Sequence, residues 1–455
     1  VVVVGAGTAG ANAALQLARQ GRRVALLDVR PFSAAGARWV NGVPLWQYER
    51  AGLELPTSPE TRGPARPVLL TPDGKRRLTL GELPVAKADM RHLVARLHRL
   101  AAEAGVEAFE RTRLREVVLE GERPVAIRAT RHSSGRSGGQ EETLELRAKL
   151  FVDGSGLGAA LRSQVPALAS DTPTPGPEDL CVARQEVREI ELEGARAYLE
   201  EHGIGNDQSL TFLGVAGGFS TLLVNVDLEA GEVELLGGSL VADPTPCGKG
   251  VIEGFRAQHP WVGARKFGGQ GKIPIRRPYD RFAAEGIALV GNAACQVFPA
   301  HGSGIGAGMM GARILAEAVE GREDPGSQEA LWAYQARLMR ELGGLLTAFD
   351  VFRRMSQELS NEQIGRMIDT GLMTPHGATA GLLQHMPQPG VMESLRMLRG
   401  ALQAPRLASS MIPSVARMQR VKRAYARYPE RPSREELRRW AQRAAKAHGG
   451  RADLQ

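Results

Sequence analysis

Val1-Val-Val-Val4-Gly5-Ala-Gly7-Thr-Ala-Gly10, then Ala11-Asn-Ala-Ala14-Leu-Gln-Leu-Ala18, then Arg23-Val-Ala-Leu-Leu27-Asp28: this opening stretch decides the fold. Four consecutive valines suit a strand of a parallel sheet, which needs no polar alternation because both faces are covered. Gly5 permits the tight turn out of that strand, Gly7 lets backbone approach a pyrophosphate, and Gly10 lets the following helix pack closely. Ala14 continues the helix's small face. The helix start directs its unpaired N–H groups and positive dipole end at the phosphates. A second strand ends on Asp28, where a carboxylate reaches an adenosine ribose. A lone Gly-x-Gly-x-x-Gly also fits an ordinary glycine-rich turn. Strand, helix, second strand and terminal acid at the right distances decide for dinucleotide binding. The unit alone does not separate FAD from NAD, although an acid at position 28 argues against a 2′-phosphate.

The whole chain has 455 residues, enough for two or three domains around a large core. Its 43% hydrophobic and 24% charged content is that of a globular protein, and 54 glycines imply many tight turns. The net charge of +8 is concentrated at the end, where the basic excess after Arg396 exceeds that of the whole chain. Cys181, Cys247 and Cys295 lie far apart without a Cys-x-x-Cys pair, which argues against a disulfide framework, a metal site or a dithiol centre and suits a reducing compartment. No run of eighteen apolar residues is present. The opening on a strand without a Met is read as a sign that residues precede Val1, so a removed leader stays open.

Three further segments resemble the FAD superfamily that contains aromatic hydroxylases, geranylgeranyl reductases and flavin-dependent halogenases. The first is Ala88-Asp-Met-Arg91, opening a helix that runs on through Leu93-Val-Ala-Arg-Leu97. The resemblance places Arg91 at the FAD phosphate and ribose; the plainer reading is a solvated arginine on an amphipathic helix. The second is Leu150-Phe-Val-Asp153-Gly154-Ser-Gly156 with Arg162 after it, similar to the superfamily's Asp-Gly motif. Strands near 114–130 and 143–152 precede it, joined by a polar loop expected to be exposed. The third is Gly286-Ile-Ala-Leu-Val-Gly291-Asn292, then Pro299-Ala-His301-Gly302-Ser-Gly304-Ile305-Gly306.

In that third segment the resemblance implies a strand into Gly291, a loop at Pro299, and a long helix from Ile305 pointing its N-terminus at the flavin pyrimidine edge. Backbone N–H groups there stabilise negative charge on a reduced ring. It also implies that Gly302 and Gly304 lack side chains because these would meet the isoalloxazine. Asn292 departs from the family's usual Gly-Asp: it still accepts a hydroxyl hydrogen bond but carries no charge. His301 is read either as a turn residue or as a catalytic group beside the flavin, a proton donor or electrostatic partner.

The resemblance thus implies an α/β protein with a glutathione-reductase-type FAD-binding Rossmann domain (1–165 and 280–330). A substrate domain of antiparallel sheet (170–280) is inserted in it, 40–80 contributes to the substrate side, and a helical region follows over 331–455. Gly217 to Asp227 and Glu232 to Leu236 read as paired strands over the flavin. Trp39, Asn41, Trp46 and Phe219 are candidate pocket walls, with plain core as the alternative. Prolines 375, 387, 389, 405 and 413 are expected to break the C-terminal helices. Met367, Leu372, Met373, Leu382, Leu383, Met386 and Met397 suit either helix core or an adaptable apolar channel. The basic stretch from Met411 to Arg451 suits either a solvated helix face or an anionic membrane surface. No nucleic-acid module accompanies the charge. A cytoplasmic location, with membrane contact through that tail, is the expectation.

A second Gly-x-Gly-x-x-Gly at a strand-to-helix junction is absent, so reducing equivalents are expected from transient NAD(P)H or an external donor. The short layout of Gly-x-Gly-x-x-Gly, Arg, Asp-Gly and Gly-Asn with a long helical C-terminus is most similar to that of geranylgeranyl-reductase-like proteins, which reduce isolated double bonds of long isoprenoids. The family's early cysteine and aromatic-Pro sheet motif are missing. An FAD monooxygenase acting on a hydrophobic small molecule is the alternative. Halogenase ranks lower, since Trp-x-Trp-x-Ile-Pro is absent and His259-Pro-Trp261 is no substitute. A non-catalytic flavoprotein ranks with it.

Overall fold

The structure is a computed structural model, in which residues 1–132, 141–217, 219–242 and 248–454 are described. Cys247 and most of the expected polar loop (133–140) lie outside them.

The opening valines form a strand, Val2–Val4, at the centre of a six-stranded sheet. It is flanked in parallel by Ala25–Leu27 on one side and Phe151–Asp153 on the other. Ile287–Leu289 continues the sheet beside Phe151–Asp153, and Glu107–Phe109 continues it beside Ala25–Leu27. Only the two-residue edge strand Ala283–Ala284 runs antiparallel. All three central valines are buried, as a sheet covered on both faces requires. The helix Thr8–Ala18 packs against the helix Ile305–Val319 on one side of this sheet.

The expected single strand over 114–130 is instead a hairpin, Thr112–Glu120 and Arg123–His132, turning at Gly121 with φ +63°. The segment 143–152 likewise divides. Glu141–Arg147 joins that hairpin as a third antiparallel strand, whereas Phe151–Asp153 enters the parallel sheet. The first turn, Glu120-Gly121-Glu122-Arg123, is polar, whereas Ala148 and Leu150 carry apolar character through the second, so periodicity alone gives no boundary there.

A second large sheet has seven strands in the order Val262–Pro274, Leu180–Ile190, Glu232–Leu240, Thr221–Asp227, Ser209–Leu213, Pro67–Leu70 and Arg77–Thr79. Every pairing is antiparallel except that of Ser209–Leu213 with Pro67–Leu70. Strict alternation divides its faces. Leu222, Val224, Val226, Val233 and Leu235 pack beneath, in a core shared with the helices Leu192–Glu201 and Gly248–Gln258. Thr221, Leu223, Asn225, Glu234 and Leu236 point the other way, into a cavity.

Residues 328–448 are helical with short connections. Pro375 and Pro405 start helices, but Pro413 breaks none: it lies inside the helix Pro405–Tyr425, exposed. The basic tail packs by one face and leaves Arg417, Arg420, Arg438, Arg439 and Arg443 exposed. In the helix Arg434–His448, Leu437, Trp440, Ala441 and Ala444 are buried against the main core.

Buried charges fasten this tail to the rest. Asp350 has no exposed side-chain surface; Arg353 donates to it at 2.5 Å, and His448 Nε2 lies 2.8 Å away. Arg276 holds both Asp453 oxygens at 2.7 Å, and Arg277 pairs with Asp280. Burial alone would raise the Asp350 pKa, but His448 and the neighbouring arginines outweigh it and hold the carboxyl below the usual range. A depressed carboxyl contributes stability that is present above its unfolded pKa and lost as pH falls below it. Asp350→Asn should therefore cost about 3–5 kcal/mol at neutral pH by stranding buried cations. Thermal unfolding should show this deficit shrinking toward pH 3; a neutral-pH melting temperature equal to the parent's would contradict it.

Candidate functional site

The three glycine-bearing segments of the sequence meet at the C-terminal ends of the parallel strands. A Cβ on Gly5 (φ +102°) would lie 2.4 Å from Gly154 O, and one on Gly10 would lie 1.9 Å from Gly5 O. Gly10 is thus a packing residue, whereas Gly5, Gly7, Gly154 and Gly156 line a cavity of about 1200 Å³. That exceeds the roughly 300–1,000 Å³ of a pocket for one small ligand.

One end of the cavity fits a dinucleotide. Asp28 accepts from Ala6 N through Oδ2 and from Arg30 N through Oδ1, both at 2.9 Å, and lone pairs remain for ribose hydroxyls. The helices starting at Thr8 and Ile305 both open on the cavity without a side-chain cap, so first-turn N–H groups are available to phosphate or to a negative ring. Gly291, Asn292, His301, Gly302, Gly304 and Ile305 line the same space. A Cβ on Gly304 would meet Asn292 Oδ1 at 2.8 Å, so this glycine is needed by the protein itself as well as by any ligand.

Three expected contacts are placed elsewhere. Arg91 does not line the cavity. Asp89, which caps its helix, takes the Arg91 guanidinium on both oxygens (3.0 and 2.7 Å), and the group lies 3.5 Å from the Phe267 ring centroid. Arg30 and Arg38 face the cavity instead. Asp153 is fully buried and accepts from Ser155, Leu161 and Arg162 backbone N–H groups, so it shapes the loop rather than facing a ligand. Pro299 is buried behind Ala300 and His301, which do line the wall.

Of the aromatic candidates, Trp39 and Phe219 line the cavity, with Asn41, but Trp46 does not. Trp46 donates to Leu383 O at 2.9 Å and lies against His385, joining its helix to the C-terminal region. Trp39 explains the glycine run Gly268-Gly-Gln-Gly271: a Cβ on Gly269 would come within 2.8 Å of its ring, and one on Gly271 within 3.2 Å. The methionine segment takes the channel reading. Met367, Leu372, Met373, Leu382, Met386 and Met397 line the cavity with Phe349 and Phe352; Leu383 does not.

The His301 side chain is exposed to this open space, and the dense protein around it lowers its pKa to about 4. The imidazole is therefore neutral at physiological pH. In that form it offers an N–H or a lone pair to a neighbour in the cavity. Cys181 lines the wall as a protonated thiol, with burial pushing it up to about 11.

A buried polar cluster in the wall carried no motif in the sequence. Gln185 grips Val40 through both backbone atoms, with Nε2 donating to Val40 O at 2.7 Å and Oε1 accepting from Val40 N. The same Nε2 donates to Glu234 Oε1 at 2.7 Å, and Asn225 approaches Glu234 Oε2 at 3.5 Å. Glu234 thus braces the segment that carries Trp39 and Asn41. Burial, opposed by Lys87 and Arg62, raises Glu234 to about 7, and burial also lowers the Lys87 pKa. The only sequence signal was polar residues on the inward register of three apolar strands.

The family model described as FAD dependent oxidoreductase matches residues 1–166. The digeranylgeranylglycerophospholipid reductase of Sulfolobus acidocaldarius is 24% identical over 444 residues, covering 95% of this chain and 94% of that protein. Digeranylgeranylglycerophospholipid reductase 2 of Methanopyrus kandleri is 25% identical, covering 81% and 89%. A crystal structure of a geranylgeranyl bacteriochlorophyll reductase-like protein from Thermoplasma acidophilum superposes with a TM-score of 0.70 at 18% identity, over 91% of this chain and 98% of that one. The parallel-sheet core is thus that of FAD-dependent oxidoreductases, and the cofactor is FAD.

Gly7 has ordinary helix-entry backbone angles, and a Cβ there would come no nearer than 3.6 Å to Gly36. Gly7→Asp should therefore fold, since Asp suits an N-cap, and yet purify colourless by placing a carboxylate against the pyrophosphate. Full flavin absorbance in that variant would refute the placement. A carboxyl with raised pKa stabilises fully below its unfolded pKa of 4.5, and the contribution is lost as pH rises through 7. Melting temperatures of Glu234→Gln should thus gain on the parent's between about pH 5 and about pH 8. Parallel pH profiles would remove Glu234 from this role.

Proposed function

We propose that this FAD-dependent oxidoreductase reduces isolated carbon–carbon double bonds in a long, apolar isoprenoid chain. The observation that carries the reading is the continuity of one cavity, from the dinucleotide glycines past His301 to a chamber walled by Met367, Met373, Met386, Met397, Phe349 and Phe352. A space that long and that apolar at its far end suits a flexible hydrocarbon, and unbranched methionines adapt to its conformers. The names of the relatives agree with it.

Residues 1–165 with 280–330 hold FAD, 170–280 provide a substrate-facing sheet with 40–80 beside it, and 331–455 close the chamber. Gly5, Gly7, Asp28, Asn292, Gly302, Gly304 and Ile305 hold the cofactor, with Gly10 and Asp153 shaping its loops. Bound FAD, once reduced, supplies hydride to the alkene. The chain's own part is to exclude water through the apolar wall, orient the double bond between Trp39 and the seven-stranded sheet, and present a polar hydrogen near it. His301 and the protonated Cys181 are two groups of this wall that carry such a hydrogen. NAD(P)H or a donor protein reduces the flavin transiently.

The test is anaerobic. Chemically reduced enzyme is mixed with a geranylgeranyl lipid, following flavin reoxidation and the mass of the product. Reoxidation without oxygen, with H2 gained per double bond, is the expected outcome. Flavin that stays reduced until oxygen enters, with oxygen incorporated into the lipid, would establish the monooxygenase alternative instead.

A further inference from the structure

The helix Val391–Gln403 is built inside out for an ordinary surface helix. Its one fully buried position is Gly400, where a Cβ would lie 2.4 Å from Thr370 O. On the opposite side Val391, Leu395, Leu398 and Leu402 form a stripe at helical spacing, exposed by 78, 55, 60 and 76%. The next helix, Pro405–Tyr425, adds Ile412 at 65% and Val415 at 52%. Together with Met392, these account for seven of the ten exposed large hydrophobic residues among those described. Apolar exposure concentrated in one place marks an interaction surface.

The surroundings identify what it meets. From Val391 to Arg423 the chain carries seven arginines and lysines against one acid, Glu393. Arg396, Arg399, Arg406, Arg417 and Arg420 are all exposed. We propose that this helical pair docks on an anionic phospholipid bilayer, its leucine stripe sunk among the acyl chains and its arginines at the headgroups. A second copy of the chain fits less well: a symmetric pairing would bring two such basic clusters face to face. No helix among the described residues is long and apolar enough to cross a membrane, so the attachment is peripheral.

The patch also adjoins the cavity. Met397 and Met411 lie on the same two helices and line it, and Val415 belongs to both the lining and the exposed set. The docked face therefore holds the chamber's entrance against the membrane, so that an apolar substrate passes from leaflet to flavin without crossing water. This delivery role rests on the alkene-reductase reading; the docking itself rests only on exposure and charge.

Flavin-loaded protein is floated with vesicles of phosphatidylcholine alone or with about one-third phosphatidylglycerol. The parent should float with the anionic vesicles and be released by high salt. Leu398→Glu/Leu402→Glu, placed outside the cavity wall, should keep full flavin absorbance and activity on detergent-dispersed substrate yet float at least about tenfold less. Arg396→Glu/Arg399→Glu/Arg406→Glu should lose only the anionic preference. The proposal is overturned if the parent stays unbound with both vesicles, or if the leucine variant floats equally well. It is overturned also if the leucine variant converts a dimer to a monomer, which would make a second copy the occupant. Flotation without alkene reduction would sink the function and leave the docking intact.

Discussion

The molecule depends on one constraint: three backbone segments must come closer together than any side chain allows. Gly5, Gly10 and Gly154 converge where the strand Val2–Val4, the helix Thr8–Ala18 and the strand Phe151–Asp153 meet. A Cβ on Gly154 would stand 2.8 Å from Gly10 Cα. Because these segments touch through backbone, the first turn of the helix ends up at the rim of the cavity with its N–H groups free. The placing of Asp28 and of Asn292 on the same cavity rim follows from that closeness.

Constraints of this kind are written as missing side chains, which is why this part of the site could be read directly from the sequence. Gly5, Gly7 and Asp28 in one strand–helix–strand run, and Gly302 and Gly304 before a helix, line one cavity. Arg91 shows where such reading stops. Its position at a helix start was legible, but its seat on Phe267 was not, because Phe267 belongs to a strand 176 residues later in the chain. The same limit hid the Trp39 seat over Gly269 and Gly271, to which no local pattern points. It also hid the grip of Gln185 on Val40. Local patterns specify elements; pairings between distant elements are decided by packing, which no spacing records.

Polar residues in the cavity wall show how burial changes what a side chain can do. His301 is neutral, Cys181 is a thiol, and Glu234 titrates near 7 rather than near 4.5. Asp28, Arg30, Arg38, Lys87, Lys272 and Glu393 also line the cavity, so it is the stretch walled by Met367, Met373, Met386, Phe349 and Phe352 that suits a substrate with no charge to recognise. Recognition then has to come from length and shape. The wall supplies these through methionines and phenylalanines contributed by the last third of the chain.

That last third carries two demands at once. Its helices must close the chamber firmly enough to keep water out, yet open it widely enough for a lipid to enter. The buried pairs of Asp350, Arg353, His448, Arg276 and Asp453 fix one part, Gly344–Gln357 with Arg434–His448, to the parallel-sheet half. Val391–Gln403 has no such fastening; Gly400 packs on Thr370, and Thr374 bonds Glu393. Rigid charge pairs thus hold the part of the wall farther from the surface, while the helix at the entrance rests on a narrow contact. An entrance that yields beside a wall that does not lets a flexible chain enter while the flavin end stays closed to water.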